Sequence, residues 1–415
     1  MTRVIVIGGG IAGTGAALSA AKAGASVSVI DGGPGASTLA TGALDAWPWA
    51  APGASIAPVD RGVHDVLDAL GGHVVTARPA RLVTTAGVVR PARGRDAGLL
   101  DLDTTATAAK VVGVVACVRP GWDASALAAA WGDAAQDVPF IVVDATVARH
   151  TGEGDMPDAD FAARHDDDAR LGWLADRLRE AVAGNAGLLR ALVLPPCLGV
   201  ERARADALSE RLGVRCGEAL ASPGGPAGLR FEHAKKRALS SARVEVVEAR
   251  ARGVSRTAVG WCVDLEDGRR TEADAVVVAV GGLVGGGVEY APGEAVLATA
   301  LPPFSRPPFR LVIDAPLPLG AHGQPLDLPS TLFGVAPEQL AWPAARDPLM
   351  DRVGVLADAR GRVLPGLFAA GELLADRSRT WLDALATGVV AGAAAAAVNA
   401  ERRARSSVPA PPIRP

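Results

Sequence analysis

Cysteine is scarce in this chain. Four occur in 415 residues, Cys117, Cys197, Cys216 and Cys262, and no two stand in a CxxC spacing. Zinc and iron–sulfur sites need clustered thiolates, so no metal site is expected. A low, scattered count fits a reducing cytoplasm, with the thiols as small buried groups. Lysine is scarcer still in proportion, with four beside many arginines in an Ala- and Gly-rich chain, a bias we read as genomic base composition before function. An excess of one charge is also missing. The formal net charge is −3, so no global positive field recruits nucleic acid or acidic lipid. Long hydrophobic runs are absent too. The opening VIVIGGGIAGTGAALSAA, residues 4–21, is apolar, but five glycines interrupt it, and each would cost a helix about 1 kcal/mol. Only Arg3 stands before it as a basic residue, which is weak support for a secretion signal. Near the C-terminus VVAGAAAAAVNA falls short of the roughly 20 residues a span needs. We expect a soluble, cytoplasmic protein with no span of its own.

What is present begins at the same opening. Val4 to Ile7 is a β-branched run of the kind buried in parallel sheets. Gly8-Gly9-Gly10-Ile11-Ala12-Gly13 follows as a full GxGxxG, then an Ala-rich helix up to Gly24, then a second strand, Ser26 to Ile30, with Asp31 at its end. The 18 residues from Gly13 to Asp31 are close to the dinucleotide fingerprint. Each part has a physical task. Gly8 permits the tight turn, Gly10 lets a pyrophosphate approach the backbone, and Gly13 lets helix lie on strand. The helix start at Ile11 and Ala12 offers N–H groups and partial positive charge to phosphates. Asp31 accepts from ribose hydroxyls. The alternative is a glycine-rich loop in an unrelated α/β protein.

The chain returns to the theme twice. ADAVVVAVGG, 273–282, reads as an apolar strand ending at Gly281 and Gly282, and PGLFAAGELL, 365–374, as a turn, a strand over Leu367 to Ala370, then Gly371 and Glu372. An Ala-rich helix follows, and Gly388 and Gly392 are placed near its start. LFAAGE resembles the segment of two-dinucleotide-fold flavoproteins whose Gly and acid meet the pyrophosphate and ribityl chain. On that resemblance Glu372 would bond a ribityl hydroxyl, and N–H groups near Gly388 and Val389 would favour negative charge on a reduced flavin. The loop STLATGALDAW, 37–47, would pass under the flavin, with Thr38, Thr41 and Gly42 as candidates against a plain solvated turn. The cradle plus Asp31 argues for an adenosine-bearing cofactor, FAD, with FMN as the alternative.

Length points to two or three domains. The expected fold is α/β, a Rossmann-like FAD-binding domain with a parallel sheet and helices on both faces. It is discontinuous in sequence, over 1–45, 240–290 and 345–400. An inserted α/β cap or substrate region fills 46–239 and 291–344, and 401–415 is read as a disordered tail. Within the insert, 110–118 and 139–147 read as strands and ASALAAAWGDAA as a helix. The acid-rich 152–170 reads as a solvated connector, where a metal site at Asp166, Asp167 and Asp168 is outweighed by a charged surface run. A helix is placed around 231–239, and 301–334, with eight prolines, reads as an irregular wall over the site.

The order GGGIAG, TGALD, LPPCLG, PAGLR, VVVAVGGLVGGG, LFAAGE resembles the GlpB-like flavoproteins of anaerobic glycerol-3-phosphate dehydrogenase. The likeness runs over roughly residues 1–400 and is thin between motifs. The flavin motifs are shared with succinate dehydrogenase and fumarate reductase flavoproteins, whereas LPPCLG and PAGLR discriminate. The resemblance implies a membrane-associated complex that oxidises glycerol 3-phosphate to dihydroxyacetone phosphate and passes electrons towards quinone. The implied partners are a second FAD subunit and an iron–sulfur subunit. One departure stands out. The family carries a glycine-rich run before the final helix, but RTWLDALATGVV keeps only Gly388, and Ala384 to Thr387 add Cβ atoms there.

Oxidising a secondary alcohol needs a hydride acceptor and a base, and a phosphorylated substrate needs arginine. Arg230 is the phosphate candidate by resemblance, with Lys235 and Lys236 on the following turns, read either as binders or as a solvated basic face. His322 and His233 are the base candidates, each also readable as a structural or surface histidine. Trp47 and Trp49 either cover the flavin or pack. Two other functions stay open: a standalone FAD oxidoreductase of another small substrate, and a non-catalytic assembly subunit with a degenerate flavin fold.

Overall fold

The computed structural model describes residues 1–46, 60–103, 111–184, 187–292, 309–318, 321, 323–324, 326–328 and 352–401. His322, Trp47, Trp49 and the tail after 401 lie outside these. The chain forms two compact units. The first is Met1–Ala36, Asp60–Val66 and Ala238–Pro415, and the second is Ser37–Val59 and Leu67–Arg237. The first crossing thus falls at Ala36 rather than 45, and the residues after 290 belong to the first unit.

The first unit is built on a six-stranded sheet. In spatial order its strands are Glu245–Glu248, Ser26–Asp31, Arg3–Ile7, Ala275–Val278, Leu367–Ala369 and Arg362–Leu364, all parallel except the last. Three central strands are rich in β-branched residues because both faces are covered. Ile7 stands level with Ile30 on one side and Val278 on the other, so the three strands end together. The two faces differ. Ile5, Ile7, Ile30, Val276 and Val278 pack on Val254, Trp261, Val263 and Leu265. Those residues come from the antiparallel sheet Ala251–Arg256, Trp261–Leu265, Arg270–Ala273. That sheet stands where a second layer of helices was expected.

The other face carries two helices packed on each other, Ile11–Lys22 and Trp381–Ala396. Both are rich in small residues, and their backbones nearly touch. A Cβ on Gly388 would collide with the carbonyl of Ala12, and one on Gly392 with that of Ala16. A Cβ on Gly15 would lie 2.7 Å from the Leu385 Cδ1. The described residues after the sheet include an antiparallel set, Val288–Pro292, Phe309–Ile313 and Leu326–Leu328, so this stretch is not wholly irregular.

The second unit holds a four-stranded parallel sheet, ordered Phe140–Asp144, Val111–Ala116, Leu189–Leu194, Arg215–Glu218. The helices Ala124–Ala134, Asp168–Val182 and Ala205–Leu212 accompany it, with an apolar core on each side. Beside it runs an antiparallel sheet of Ala43–Leu44, Val89–Asp96 and His73–Val83. The helix expected near 231–239 begins earlier, at Pro226, and runs to Ser241, because Pro is well suited to a first helical position.

Most acids of the stretch 152–170 are exposed, as expected, but the stretch is helical in part and buries one ion pair. Glu153 is 4% exposed and pairs at 2.6 Å with Arg170, itself 6% exposed. The three aspartates do not converge. Asp166 accepts from the Val200 N–H at 3.0 Å, Asp167 caps the helix from Asp168, and Asp168 pairs with Arg204 and Arg211. No metal-binding group forms among the described residues, and no described helix is long and apolar enough to cross a membrane.

His165 lies in the same region, fully buried against the Phe161 ring at 5.1 Å, and neither ring nitrogen closes a hydrogen bond. Burial, then the Arg170 charge, push it down to about 4. The unfolded chain therefore takes up this proton first as the pH falls. Stability is complete above about pH 6.5 and is lost between there and about pH 4, by on the order of 3 kcal/mol. Chemical denaturation across that window is expected to show this slope in the wild type and a flatter one in His165→Leu.

Candidate functional site

The strand order reverses at the carboxyl end of Arg3–Ile7, which lies between Ser26–Asp31 and Ala275–Val278. Open α/β sheets bind ligands at such a point. Gly8 has φ +108°, and a Cβ there would meet the Ala279 carbonyl. Gly10 is the extended residue before the first helix, with φ −68° and ψ −175°. Gly13 interlocks with the turn, since its Cβ would collide with the Gly8 carbonyl. Ile11 and Ala12 form the buried first turn. That helix start has neither a side-chain cap nor an acid in its first turn, and its positive end favours an anion.

Asp31 is half-buried, and its Oδ1 accepts from the Gly33 N–H at 3.1 Å. A Cβ on Gly9 would lie 2.5 Å from the Asp31 Cγ. Gly9, the variable position of GxGxxG, is thus what admits the carboxylate to the turn.

Gly371 has φ +74° and follows the strand Leu367–Ala369. A Cβ on it would lie 2.7 Å from the Ala12 Cβ. Pieces far apart in sequence therefore meet: the turn at Gly8 touches Ala279, and the first helix at Ala12 touches Gly371. The Gly371 N–H donates to Thr387 Oγ1 at 2.9 Å. Glu372 is half-buried. Its Oε2 would be 2.7 Å from a Cβ on Gly282, which would also strike Arg379. Arg379 donates to the Glu372 carbonyl at 3.0 Å and to that of Val353 at 2.8 Å. Gly281, at φ +85°, folds its turn onto Gly285. Gly282 had a signal in the Gly-Gly pair, but nothing in the spacing marks Arg379 or Thr387.

Gly388 and Val389 are not at a helix start. The last helix begins at Trp381, Thr380 caps it by accepting from the Asp383 N–H, and the Asp383 carboxylate accepts the Ser378 and Thr380 hydroxyls. N–H groups one or two turns further in belong to the helix ladder and cannot stabilise charge on a ligand. Gly388 serves the contact with Ala12 instead.

The remaining candidates lie in the second unit. Thr38 donates to Glu232 Oε1 at 2.8 Å, Thr41 is half-buried, and Gly42, at φ +96°, packs on Ala227, Leu99 and Asp96. Arg230 is not available to a substrate phosphate. It is 3% exposed and pairs with Asp96 at 2.8 Å and Glu218 at 2.7 Å. It also donates to the Gly199 carbonyl at 2.7 Å. Burial alone would pull its affinity for the proton down, but Asp96 and Glu218 outweigh it and raise it. Burial pushes the Glu218 carboxyl up, against the pull of Arg230. Lys235 is 4% exposed and pairs with Glu232 at 2.6 Å, so it is no solvated face, whereas Lys236 is exposed and His233 half-buried.

Residues 3–88 match the family described as FAD binding domain, and residues 229–283 match the family described as FAD-NAD(P)-binding. The cofactor is FAD. Both matches support a flavin-dependent oxidoreductase. The cradle fits FAD: a helix start without a side-chain cap, glycines at Gly8 and Gly371 whose positive φ and close packing on Ala279 and Ala12 shape the turns, and Asp31 at the second strand's end. Among solved structures, the chain is similar to the peptidyl tryptophan dihydroxylase QhpG, at 14% identity and TM-score 0.34, over 98% of this chain and 69% of that one. It is similar to a flavin monooxygenase from Stenotrophomonas maltophilia at 13% and 0.22, over 68% and 39%. An FAD complex of HpxO from Klebsiella pneumoniae follows at 14% and 0.32, over 98% and 85%. The chain thus spans well under half the length of the monooxygenase. No curated protein matches it.

Two variants separate cradle from core. Gly371→Ala, strained at φ +74° and pressed on Ala12, is expected to weaken FAD binding at least tenfold in a fluorescence titration. Arg230→Met strands Asp96 and Glu218 and is expected to cost about 3–5 kcal/mol of stability in urea unfolding. A substrate-binding arginine would instead raise KM and leave stability alone.

Proposed function

We propose that the chain is the FAD-bearing, GlpB-like component of an anaerobic glycerol-3-phosphate dehydrogenase. Such an enzyme converts glycerol 3-phosphate to dihydroxyacetone phosphate and sends electrons towards quinone through a second FAD subunit and an iron–sulfur subunit. What supports this reading is that its two discriminating motifs form one structure. Arg230 of PAGLR donates to the Gly199 carbonyl of LPPCLG, and Glu218 accepts from the Leu198 N–H of the same loop.

When bound, FAD supplies a two-electron acceptor. The chain's own residues do the holding. The first helix start takes the pyrophosphate, Asp31 the adenosine ribose hydroxyls, and Glu372 a ribityl hydroxyl. With Arg230 committed to Asp96 and Glu218 and Lys235 to Glu232, the exposed Lys236 alone is left of the expected phosphate binders among the described residues. That observation favours, as a second reading, an FAD oxidoreductase acting on a substrate without phosphate.

The purified chain is expected to be yellow and to release FAD on denaturation. Co-purified with its partner subunits, it is expected to bleach on addition of glycerol 3-phosphate. Bleaching by an amine or hydroxy acid without partners would favour the second reading. A colourless chain that takes up no FAD would overturn both.

A further inference from the structure

We infer that Thr387 is a positioning residue for FAD: its hydroxyl, in place of a glycine-rich backbone, fixes the Gly371 turn for the flavin half of the cofactor. The inference rests on FAD as cofactor and not on the substrate.

The Gly371 N–H donates to Thr387 Oγ1 at 2.9 Å. The hydroxyl in turn donates to the carbonyls of Ala384 at 2.9 Å and Asp383 at 3.1 Å. Its single proton is directed to this pair of carbonyls, which leaves the oxygen lone pairs towards Gly371 as its anchor. Gly371 needs one. On one side Ala370 is tied into the sheet, its N–H donating to the Val278 carbonyl at 2.9 Å. On the other, the Leu374 N–H donates to the Gly371 carbonyl at 3.1 Å. The glycine between them, at φ +74°, is the freest residue of the turn. A glycine at 387 would leave its N–H without this partner.

The neighbouring residue completes the device. Gly388 lies on the Ala12 main chain, and Ala12 Cβ lies under Gly371. Two consecutive residues of the last helix thus fix both lips of the cradle. Gly388 sets the lip formed by the first helix, and Thr387 sets the lip formed by Gly371 and Glu372. These lips serve different parts of the ligand. Asp31 ends one strand and Gly371 follows another three places along the sheet, about 14 Å away at the usual strand spacing. An adenosine diphosphate engages Asp31 and the first helix, and only the full dinucleotide needs the far lip held.

The test is a pair of titrations, FAD and ADP, on apo-protein carrying Thr387→Val, which keeps the shape and loses the hydroxyl, or Thr387→Ser, which keeps the hydroxyl. Thr387→Val is expected to weaken FAD about tenfold, the effect of one lost hydrogen bond and a stranded N–H, and to leave ADP within about twofold. Thr387→Ser is expected to hold FAD within about twofold of wild type. Thr387→Ala is the second hydroxyl-free variant should valine fail to fold in a helix. FAD affinity unchanged without the hydroxyl, an equal loss for FAD and ADP, or a serine variant as weak as valine would each overturn the inference. Wild-type protein that bound neither ligand would overturn the cofactor assignment itself, and the inference with it.

Discussion

The contact on which the first unit depends is the one between the Ala12 carbonyl and the bare Cα of Gly388. The first turn of the helix Ile11–Lys22 has no side-chain cap and no acid to fix it from the front. It is held from behind. The last helix packs along its length through Gly388 on Ala12, Gly392 on Ala16, and Leu385 on Gly15. Close approach of two backbones replaces the interdigitation of large side chains seen at ordinary helix pairs. The helix that completes the cradle comes from the far end of the chain, which is why the domain is discontinuous and tolerates a second folded unit between its parts.

Much of this was legible, for physical reasons. A β-branched run, GxGxxG, a helix and a strand ending in acid form a local unit of 31 residues, so its geometry follows from its own sequence. The two later strands were legible because burial on both faces leaves an uninterrupted apolar run. The cofactor followed from their order. The start of the last helix was misplaced although its signal was present: Thr380 to Asp383 is a T-x-x-D box of the kind that opens helices. The Ala-rich run after it drew the reading downstream, and with it the assignment of Gly388 and Val389 to the ligand. Arg230 failed for a different reason. An arginine in a short motif reads the same whether it awaits a phosphate or closes a buried pair. Its partner Asp96 lies on a strand far away in sequence, and no spacing rule connects them. The stretch 152–170 misled at one position, since its aspartates are exposed or half-buried. Counting acids suggested solvent, but Glu153 and Arg170 neutralise each other out of water.

The buried trio Asp96, Arg230 and Glu218 has a further consequence. It joins three motifs that the sequence presents separately. Gly42 of TGALD rests against Asp96, Arg230 belongs to PAGLR, and LPPCLG supplies the carbonyls that Arg230 holds. Burying three charged groups is costly, and such a cluster is tolerated only when its members satisfy one another. These three motifs therefore serve the second unit's architecture through the groups that meet at Arg230.

The helix starts argue the same division between structure and function. The helices beginning at Ala124, Asp168 and Trp381 are each capped by a side chain, Asp123, Asp167 and Thr380. Those beginning at Asp158 and Ala205 carry acids in the first turn. In each case the chain's own atoms answer the positive end of the helix. The helix at Ile11 has neither, and the helix from Pro226 likewise carries no acid in its first turn. A helix start without a side-chain cap or an acid is a place where an external anion is favourable. The ligand is in that sense the missing cap, and FAD binding is expected to stabilise the first unit by supplying it.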